Sequence, residues 1–151
     1  MGVKVSAVVT MKHRSEEASL LPDQAHKLRA ELARKITSFV GSEEIRATEI
    51  SGLTLGRRTA TTAPCSMTYE PSVIVIAQGR KRVELGRNIF ICDESRFLLT
   101  SLDLPVVSRV IEASEAAPCL ALSLKLEMRG YESFSAERRL RWLRRGLTVL
   151  A

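Results

Sequence analysis

The stretch YEPSVIVIAQGRKRVELG, residues 69–86, decides the fold class of this chain. Residues 73–76 are four consecutive β-branched residues, which are stiff at χ1 and suit a strand that is buried on both faces. After a polar break at residues 78–81, Val83 and Leu85 alternate with polar residues, which is the period of a half-exposed strand. The pattern therefore predicts two strands that form a hairpin across the polar break.

Other short segments with strand patterning surround this pair. From residue 50 onwards they are separated by turns, and no helical pattern lies between them. Pro64, Pro71, Pro105 and Pro118 lie between the segments or at their edges, where a missing N–H is tolerated. The sequence therefore predicts an antiparallel sandwich or small barrel. The predicted strands are residues 53–59, 72–78, 81–85, 88–92, 96–100, 106–112 and 120–126.

One amphipathic helix is predicted ahead of the strands. Pro22 and Asp23 are suited to its first turn, and Gly41 is a natural residue to end it. We expect its apolar stripe to pack on the outside of the β structure, and a helix that binds a partner is the alternative. Residues 1–21 show no sustained period and are expected to be a flexible leader. The stripe consists of Ala25, Leu28, Leu32, Ile36 and Phe39 or Val40.

The net charge of +6 is concentrated near the C-terminal end. Residues 129–151 contain six arginines and two glutamates, a net charge of +4, which leaves +2 for the rest of the chain. The nearly neutral main body gives no support for nucleic-acid binding. Leucines 140, 143, 147 and 150 predict that the arginine-rich segment is a basic amphipathic helix. Such a helix could fold back on the barrel, mediate pairing, or lie on an acidic surface, whereas its lack of lysine suggests a frameshifted, non-native segment.

Histidine, which commonly carries catalysis or binds metals, is missing from the predicted strands. The two histidines, His13 and His26, both precede the first predicted strand, so a His-ligated metal centre in the barrel is excluded by count. Nucleophilic catalysis by a serine or cysteine with a histidine base is excluded for the same reason. Paired carboxylates remain open, although most acidic residues fall in turns or at outward positions. We therefore expect neither an enzyme nor a bound cofactor.

The cysteines and the hydropathy indicate the compartment. Cys65, Cys92 and Cys119 are odd in number and widely spaced, so we expect small buried hydrophobic residues rather than a disulfide framework or a zinc site. No apolar run approaches the length that crosses a bilayer, and none has the features of a secretion signal. The chain is therefore expected to be cytoplasmic, with no membrane partner.

A small β-barrel can enclose a cavity in which a few polar groups select a small molecule. Arg57, Tyr69, Gln78 and Lys81 are polar residues at predicted strand ends or turns, from which they could reach the mouth of such a cavity. The alternative for each is a hydrogen bond at the surface, and Gln78 could simply shape its turn. These four residues are the candidate ligand-binding residues.

Five short blocks occur in a fixed order along the strand region: YEPS at 69–72, QGRK at 78–81, LG at 85–86, SLDLP at 101–105 and EAS at 112–114. Together they resemble the N-terminal regulatory domain of AraC-type bacterial transcriptional regulators. The resemblance covers about residues 34–127. It implies a cupin-like antiparallel β-barrel or jelly roll over residues 22–128, with a role in effector binding or dimerisation.

The resemblance also implies a DNA-binding domain with two helix-turn-helix motifs, which would need roughly a hundred further residues. Only the arginine-rich segment follows the strands, so we expect a truncated or frameshifted product without its own DNA-binding domain. Such a domain would bind an unknown small effector, and would form a homodimer or pair with a full-length regulator, without direct specific DNA contact. One alternative is a stand-alone, metal-free, cupin-like binding protein or enzyme. Another is an interaction protein that acts through residues 138–150.

Overall fold

The computed structural model describes residues 8–12 and 21–126, which form two antiparallel sheets and one helix. The six-stranded sheet has the order β1-β8-β5-β10-β3-β2, and the four-stranded sheet has the order β4-β9-β6-β7. The elements are β1 (Val8–Lys12), α1 (Leu21–Val40), β2 (Ile45–Ala47), β3 (Leu53–Arg58), β4 (Cys65–Tyr69), β5 (Ser72–Gln78), β6 (Arg80–Leu85), β7 (Asn88–Cys92), β8 (Arg96–Thr100), β9 (Leu104–Glu112) and β10 (Cys119–Lys125).

The prediction of a mainly β, antiparallel fold with one N-terminal helix is confirmed. Each of the seven predicted strands corresponds to an observed strand, and β5, β7 and β8 have the predicted bounds. Over the described strands, no hydrogen-bonded ladder joins the two sheets, so they stack as a sandwich and do not form a closed barrel. The predicted helix in residues 129–151 lies outside the described residues.

Three observed strands had no predicted counterpart. Strand β1 lies within the expected leader, where its backbone pairs with β8 from Val8 opposite Thr100 to Lys12 opposite Arg96. Strand β2 has only three residues, and all of them are exposed. Strand β4 is exposed except at Tyr69. These strands join the edges of the sheets, where the apolar alternation that predicts a strand from sequence is weak.

The predicted hairpin at residues 69–86 is wrong. Strands β5 and β6 lie in different sheets, and the single residue Gly79 connects them, whereas a hairpin loop needs at least two residues. Gly79 has a φ of 85°, and a Cβ atom there would lie 2.7 Å from the carbonyl oxygen of Glu112. The chain therefore turns a sharp corner from one sheet to the other. The hairpin begins one strand later, where Gly86 and Arg87 connect β6 to β7 with Leu85 opposite Asn88.

Two hydrophobic clusters hold the layers together, the first between the two sheets and the second between α1 and the six-stranded sheet. Through the second cluster the helix packs on the outer face of the six-stranded sheet, as expected. Leu28, which belongs to the predicted stripe, is nevertheless 61% exposed. The helix ends at Gly41, whose φ is 62° and whose N–H donates to the Thr37 carbonyl oxygen. The first cluster, between the sheets, contains Tyr69, Ile74, Ile76, Val83, Cys92, Leu98, Leu104 and Val106, and the second contains Ile36, Val40, Ala77 and Leu120.

Candidate functional site

A cavity of about 360 Å³ opens between the two sheets, beside the point where β4 turns into β5. Residues of β4 and β6 line it on one side, and residues of β3, β5 and β10 line it on the other. Ile74 and Ala121 supply apolar surface, and both belong to or pack against the core between the sheets. The volume lies within the range of small-molecule pockets in proteins.

The turn at residues 69–72 is held by a buried hydroxyl. Thr100 is 0% exposed, and its Oγ1 donates to the Glu70 carbonyl oxygen at 2.7 Å and accepts from the Ser72 N–H at 3.0 Å. Beyond this turn, the Leu126 N–H donates to the Pro71 carbonyl oxygen at 2.7 Å. These bonds satisfy backbone groups that the crossing between sheets would leave without partners. They hold the backbone of residues 70–72 in place beside the cavity, which Glu70 and Ser72 line.

Tyr69 and Lys81 come together inside the cavity. Tyr69 is 8% exposed, and its hydroxyl donates to Ser108 Oγ at 3.0 Å. Lys81 Nζ lies 5.5 Å from the centroid of the Tyr69 ring, within the range of a cation–π contact. Side chains alternate along β6, so Lys81 shares the inner face with the buried Val83. The pairing brings a half-buried ammonium group onto the cavity wall.

The rim of the cavity carries an ion pair. Lys125 Nζ lies 2.8 Å from Glu70 Oε1, and both side chains are more than half exposed. An exposed pair of this kind contributes at most about 1 kcal/mol to stability. The pair can therefore open at little cost, and while it is closed it neutralises the Glu70 carboxylate.

Two hydroxyls on the cavity wall, those of Thr54 and Ser123, are not among the residues that the sequence pattern singles out. Within the described part of the chain, neither of them forms a side-chain hydrogen bond, so they can bond to a ligand or to water. Thr68 also borders the cavity, but it lies opposite the exposed Pro105, on the outer face of the four-stranded sheet. A signal for Ser123 was present in β10, where LALSLK alternates leucines with small or polar residues. Leu120 faces α1, so Ala121 and Ser123 face the cavity.

The other two candidate residues lie away from the cavity. Arg57 shares its face of β3 with Leu55, which packs against the α1 cluster, and its Nη1 lies 3.4 Å from the Gly41 carbonyl oxygen. Gln78 is at the opposite end of β5 from Ser72, and its Nε2 donates to the Pro118 carbonyl oxygen at 2.8 Å. The alternation of β3 and the length of β5 therefore separate these two side chains from Tyr69 and Lys81.

A second depression lies on the opposite face of the six-stranded sheet, beside α1. It has a volume of about 630 Å³, and apolar residues such as Leu32, Phe39 and Leu55 form much of its wall. Ligand sites usually combine apolar surface with a few converging polar groups. The cavity between the sheets meets that description better, because hydroxyls and an ammonium group converge there.

The cysteines differ in environment. Cys92 and Cys119 are buried, as expected, whereas Cys65 is exposed, because it lies on the exposed strand β4. Burial raises the pKa of the Cys92 thiol to about 11 and also raises the pKa of the Cys119 thiol, while the charge of Lys81 partly opposes both shifts. Across residues 8–12 and 21–126, no three His, Cys, Asp or Glu residues form a group that could bind a metal ion.

Comparison with known families agrees with the sequence blocks. The family model described as the AraC-type transcriptional regulator N-terminus matches residues 49–149, which is more than half of the chain and includes every strand from β3 to β10. The chain therefore belongs to the family of AraC-type regulator N-terminal domains. No curated protein and no solved structure gives a significant match. The helix of the described residues is not long and apolar enough to cross a membrane.

Proposed function

We propose that this chain is a regulatory domain that binds a small effector in the cavity between its two sheets and that pairs with a second copy or with a full-length regulator. The observation that carries the proposal is the convergence of Tyr69, Lys81 and the hydroxyls of Thr54 and Ser123 on a cavity of about 360 Å³. Membership of the AraC-type N-terminal family supports a regulatory role. In its finer form the proposal is a cupin-like domain, with the ligand held between the sheets.

The position of the cavity supports a link between binding and pairing. Its wall combines strands from both sheets, so a bound molecule contacts both and restrains one relative to the other. A ligand that binds only the folded state also stabilises it in proportion to its concentration. The effector would thereby favour one arrangement of the sandwich and of any surface used for pairing.

The proposal includes neither a catalytic step nor DNA contact by the strand region. Within the described residues, His26 is exposed on α1, away from the cavity wall, and supplies no base there. The charge outside residues 129–151 is only +2, which gives no support for contacts with DNA phosphates. Retardation of duplex DNA at several salt concentrations tests this directly, and sequence-specific retardation by the purified chain would contradict it.

The binding site can be tested with two matched variants. Ser123→Phe places a ring in the cavity, whereas Ser101→Phe adds the same ring at an exposed position after β8. A small-molecule library is screened for thermal stabilisation of the wild-type chain, and each hit is then measured on both variants. We expect stabilisation to be lost in Ser123→Phe and kept in Ser101→Phe. Hits that stabilise both variants equally, or a screen without hits, would contradict the proposed site.

Pairing is tested on the same samples. Sedimentation equilibrium of the wild-type chain with and without a hit compound measures whether the ligand changes the association constant. We expect a shift of at least about threefold, which disappears in Ser123→Phe. An association constant that the ligand leaves unchanged would separate effector binding from pairing and remove the regulatory link.

A further inference from the structure

We propose that the cavity takes a small organic anion and that Lys81 is the residue that binds its carboxylate. The inference rests on the proposed effector function and names the chemical class of the ligand. It is carried by the charge balance of the cavity wall and by the surroundings of the Lys81 ammonium group.

Lys81 is the interior cation of the site. It lies on the inner face of β6 and is half-buried, and its ammonium group lies over the ring of Tyr69. Among the described residues, no carboxylate lies within ion-pair distance of Lys81 Nζ. An ammonium group has three donors, and a partly buried charge is stabilised by a partner of opposite sign. One face of this group is thus available to a ligand anion.

The other groups around Lys81 do not neutralise it. The wall carries two lysines and one glutamate, and the carboxylate of Glu70 is bound to Lys125 at the rim. Cys92 lies opposite Lys81 in the sheet, and the charge of Lys81 also reaches Cys119. Burial keeps both thiols protonated at neutral pH because it raises their pKa. One positive charge therefore remains in excess inside the cavity.

The other residues of the cavity wall indicate which further groups the ligand has. The hydroxyls of Thr54 and Ser123 can donate to or accept from hydroxyl groups, and Ile74 and Ala121 suit a short apolar portion. Together with Lys81 these groups fit a small hydroxylated carboxylic acid better than a neutral hydrocarbon or a multiply charged nucleotide. Inorganic phosphate shares the anionic chemistry but has no apolar portion to fill the cavity.

Matched pairs of probes test this class of ligand. Saturation-transfer NMR of the full chain compares 4-hydroxybenzoate with 4-hydroxybenzamide and glucuronate with glucose, and inorganic phosphate is measured alone. We expect the better-fitting acid to bind about tenfold more tightly than its neutral partner, because a charge-assisted hydrogen bond contributes at least that much. The affinity of the acid should also fall as salt is added.

Two lysine variants locate the interaction. Lys81→Met keeps the length of the side chain and removes the charge, and Lys35→Met makes the same change on α1, where Lys35 is paired with Glu31 at the surface. We expect Lys81→Met to weaken binding of the acid about tenfold and to leave its neutral partner unchanged. Lys35→Met should change neither affinity, and Lys81→Arg should recover part of the loss.

A second measurement observes Lys81 in the wild-type chain and uses the variant only to assign its signal. Reductive methylation with ¹³C-formaldehyde labels the lysines while keeping their charge, and the signal of Lys81 is assigned by its absence in the Lys81→Met spectrum or, failing that, by a broadening agent that spares half-buried groups. Addition of the acid should shift the Lys81 signal and leave that of Lys35 in place.

The outcomes separate this inference from the proposed function. Equal affinity of each acid and its neutral partner, or acid binding that survives Lys81→Met, would overturn the anion assignment and leave an effector cavity for neutral molecules. A response to phosphate alone would overturn the organic part of the assignment. Failure of every probe at millimolar concentration would overturn the anion site, whereas hits that Ser123→Phe still binds would overturn the cavity itself.

Discussion

The two sheets of this sandwich differ in what covers their outer faces. Helix α1 covers the six-stranded sheet, where Ile36 and Val40 pack against Ala77 and Leu120. On the four-stranded sheet, no other described element packs over the outer face, and Ile89 is 54% exposed there. Strand β5 thus lies between two apolar layers and β6 faces only one. This difference explains why one reads SVIVIA and the other alternates as RKRVEL.

The difference in outer cover also places the packing against α1 and the cavity on opposite faces of the six-stranded sheet. Because α1 covers the outer face of β5, part of the hydrophobic core lies on that side of the six-stranded sheet. The inner face of the sheet therefore does not have to supply the whole core, and small or polar residues such as Ala121 and Ser123 can face inward. The cavity lies where those residues meet Tyr69 and Lys81 of the other sheet. We infer that the third layer permits a ligand cavity in so small a domain.

The largest expected effect is at the crossing between the sheets. Gly79→Ala should destabilise the chain by at least about 4 kcal/mol, since it combines a φ of 85° with a Cβ placed 2.7 Å from the Glu112 oxygen and 2.9 Å from Cys119 Cα. Gly86→Ala is the control: its φ is 58°, but no atom lies within 4 Å of the new Cβ, so about 1 kcal/mol is expected. Urea denaturation measures both. Equal losses would contradict the sharp corner at Gly79.

The second prediction compares the outer faces with one substitution. Ile36→Ala should cost about 3 kcal/mol, because Ile36 is 1% exposed between α1 and the six-stranded sheet. Ile89→Ala, on the outer face of the four-stranded sheet, should cost under about 1 kcal/mol, because that side chain is 54% exposed. Urea denaturation again gives both values. A comparable loss at Ile89 would mean that this face is covered in solution.

The third prediction concerns alkaline pH. The folded state raises the pKa of Cys92 from about 9 to about 11, so the unfolded chain releases this proton first as pH rises. The contribution of Cys92 is complete below pH 9 and should decline by about 2 to 3 kcal/mol between pH 9 and pH 11. Denaturation across this range compares wild type with Cys92→Val. The exposed Cys65 provides the control, because Cys65→Val should keep the wild-type dependence on pH.

The smallest effect is expected for a hydrogen bond inside the four-stranded sheet. Tyr69→Phe should cost about 1 to 2 kcal/mol, because it removes the partner of the Ser108 hydroxyl, which is 3% exposed. The double variant with Ser108→Ala should cost less than the sum of the two single variants. Additive losses, measured by urea denaturation, would contradict a bond between these two side chains.

The sequence predicted most of the elements because their patterns are local. Helix α1 and seven strands follow from apolar spacing and from Gly41, which tolerates a positive φ. Prediction from the sequence failed where the pairing of strands depends on segments that are distant along the chain. Gln78 to Lys81 has the composition of a hairpin turn, but only the packing of Gly79 against Glu112 and Cys119 turns the chain into the second sheet.

The candidate site was half predicted for the same reason. The sequence predicts Tyr69 and Lys81 as polar residues near strand ends, and the sandwich brings both to one cavity. Arg57 lies instead on the face covered by α1, and Gln78 bonds to the Pro118 carbonyl oxygen. The hydroxyl of Ser123 was overlooked inside an apolar run. Alternation in the sequence predicts which residues share a face of a strand, but it does not predict which of the two faces borders a cavity.

By itself, the sequence determined the family, the helix, most of the strands and the lack of histidine in the strand region, since each depends on residue type and short spacing. Only the tertiary structure decided that β5 and β6 part at Gly79 and that Lys81 is an interior cation beside Tyr69. The physical reason is that hydrogen bonding between strands and burial of charge depend on which distant segments become neighbours, and local pattern does not specify that choice.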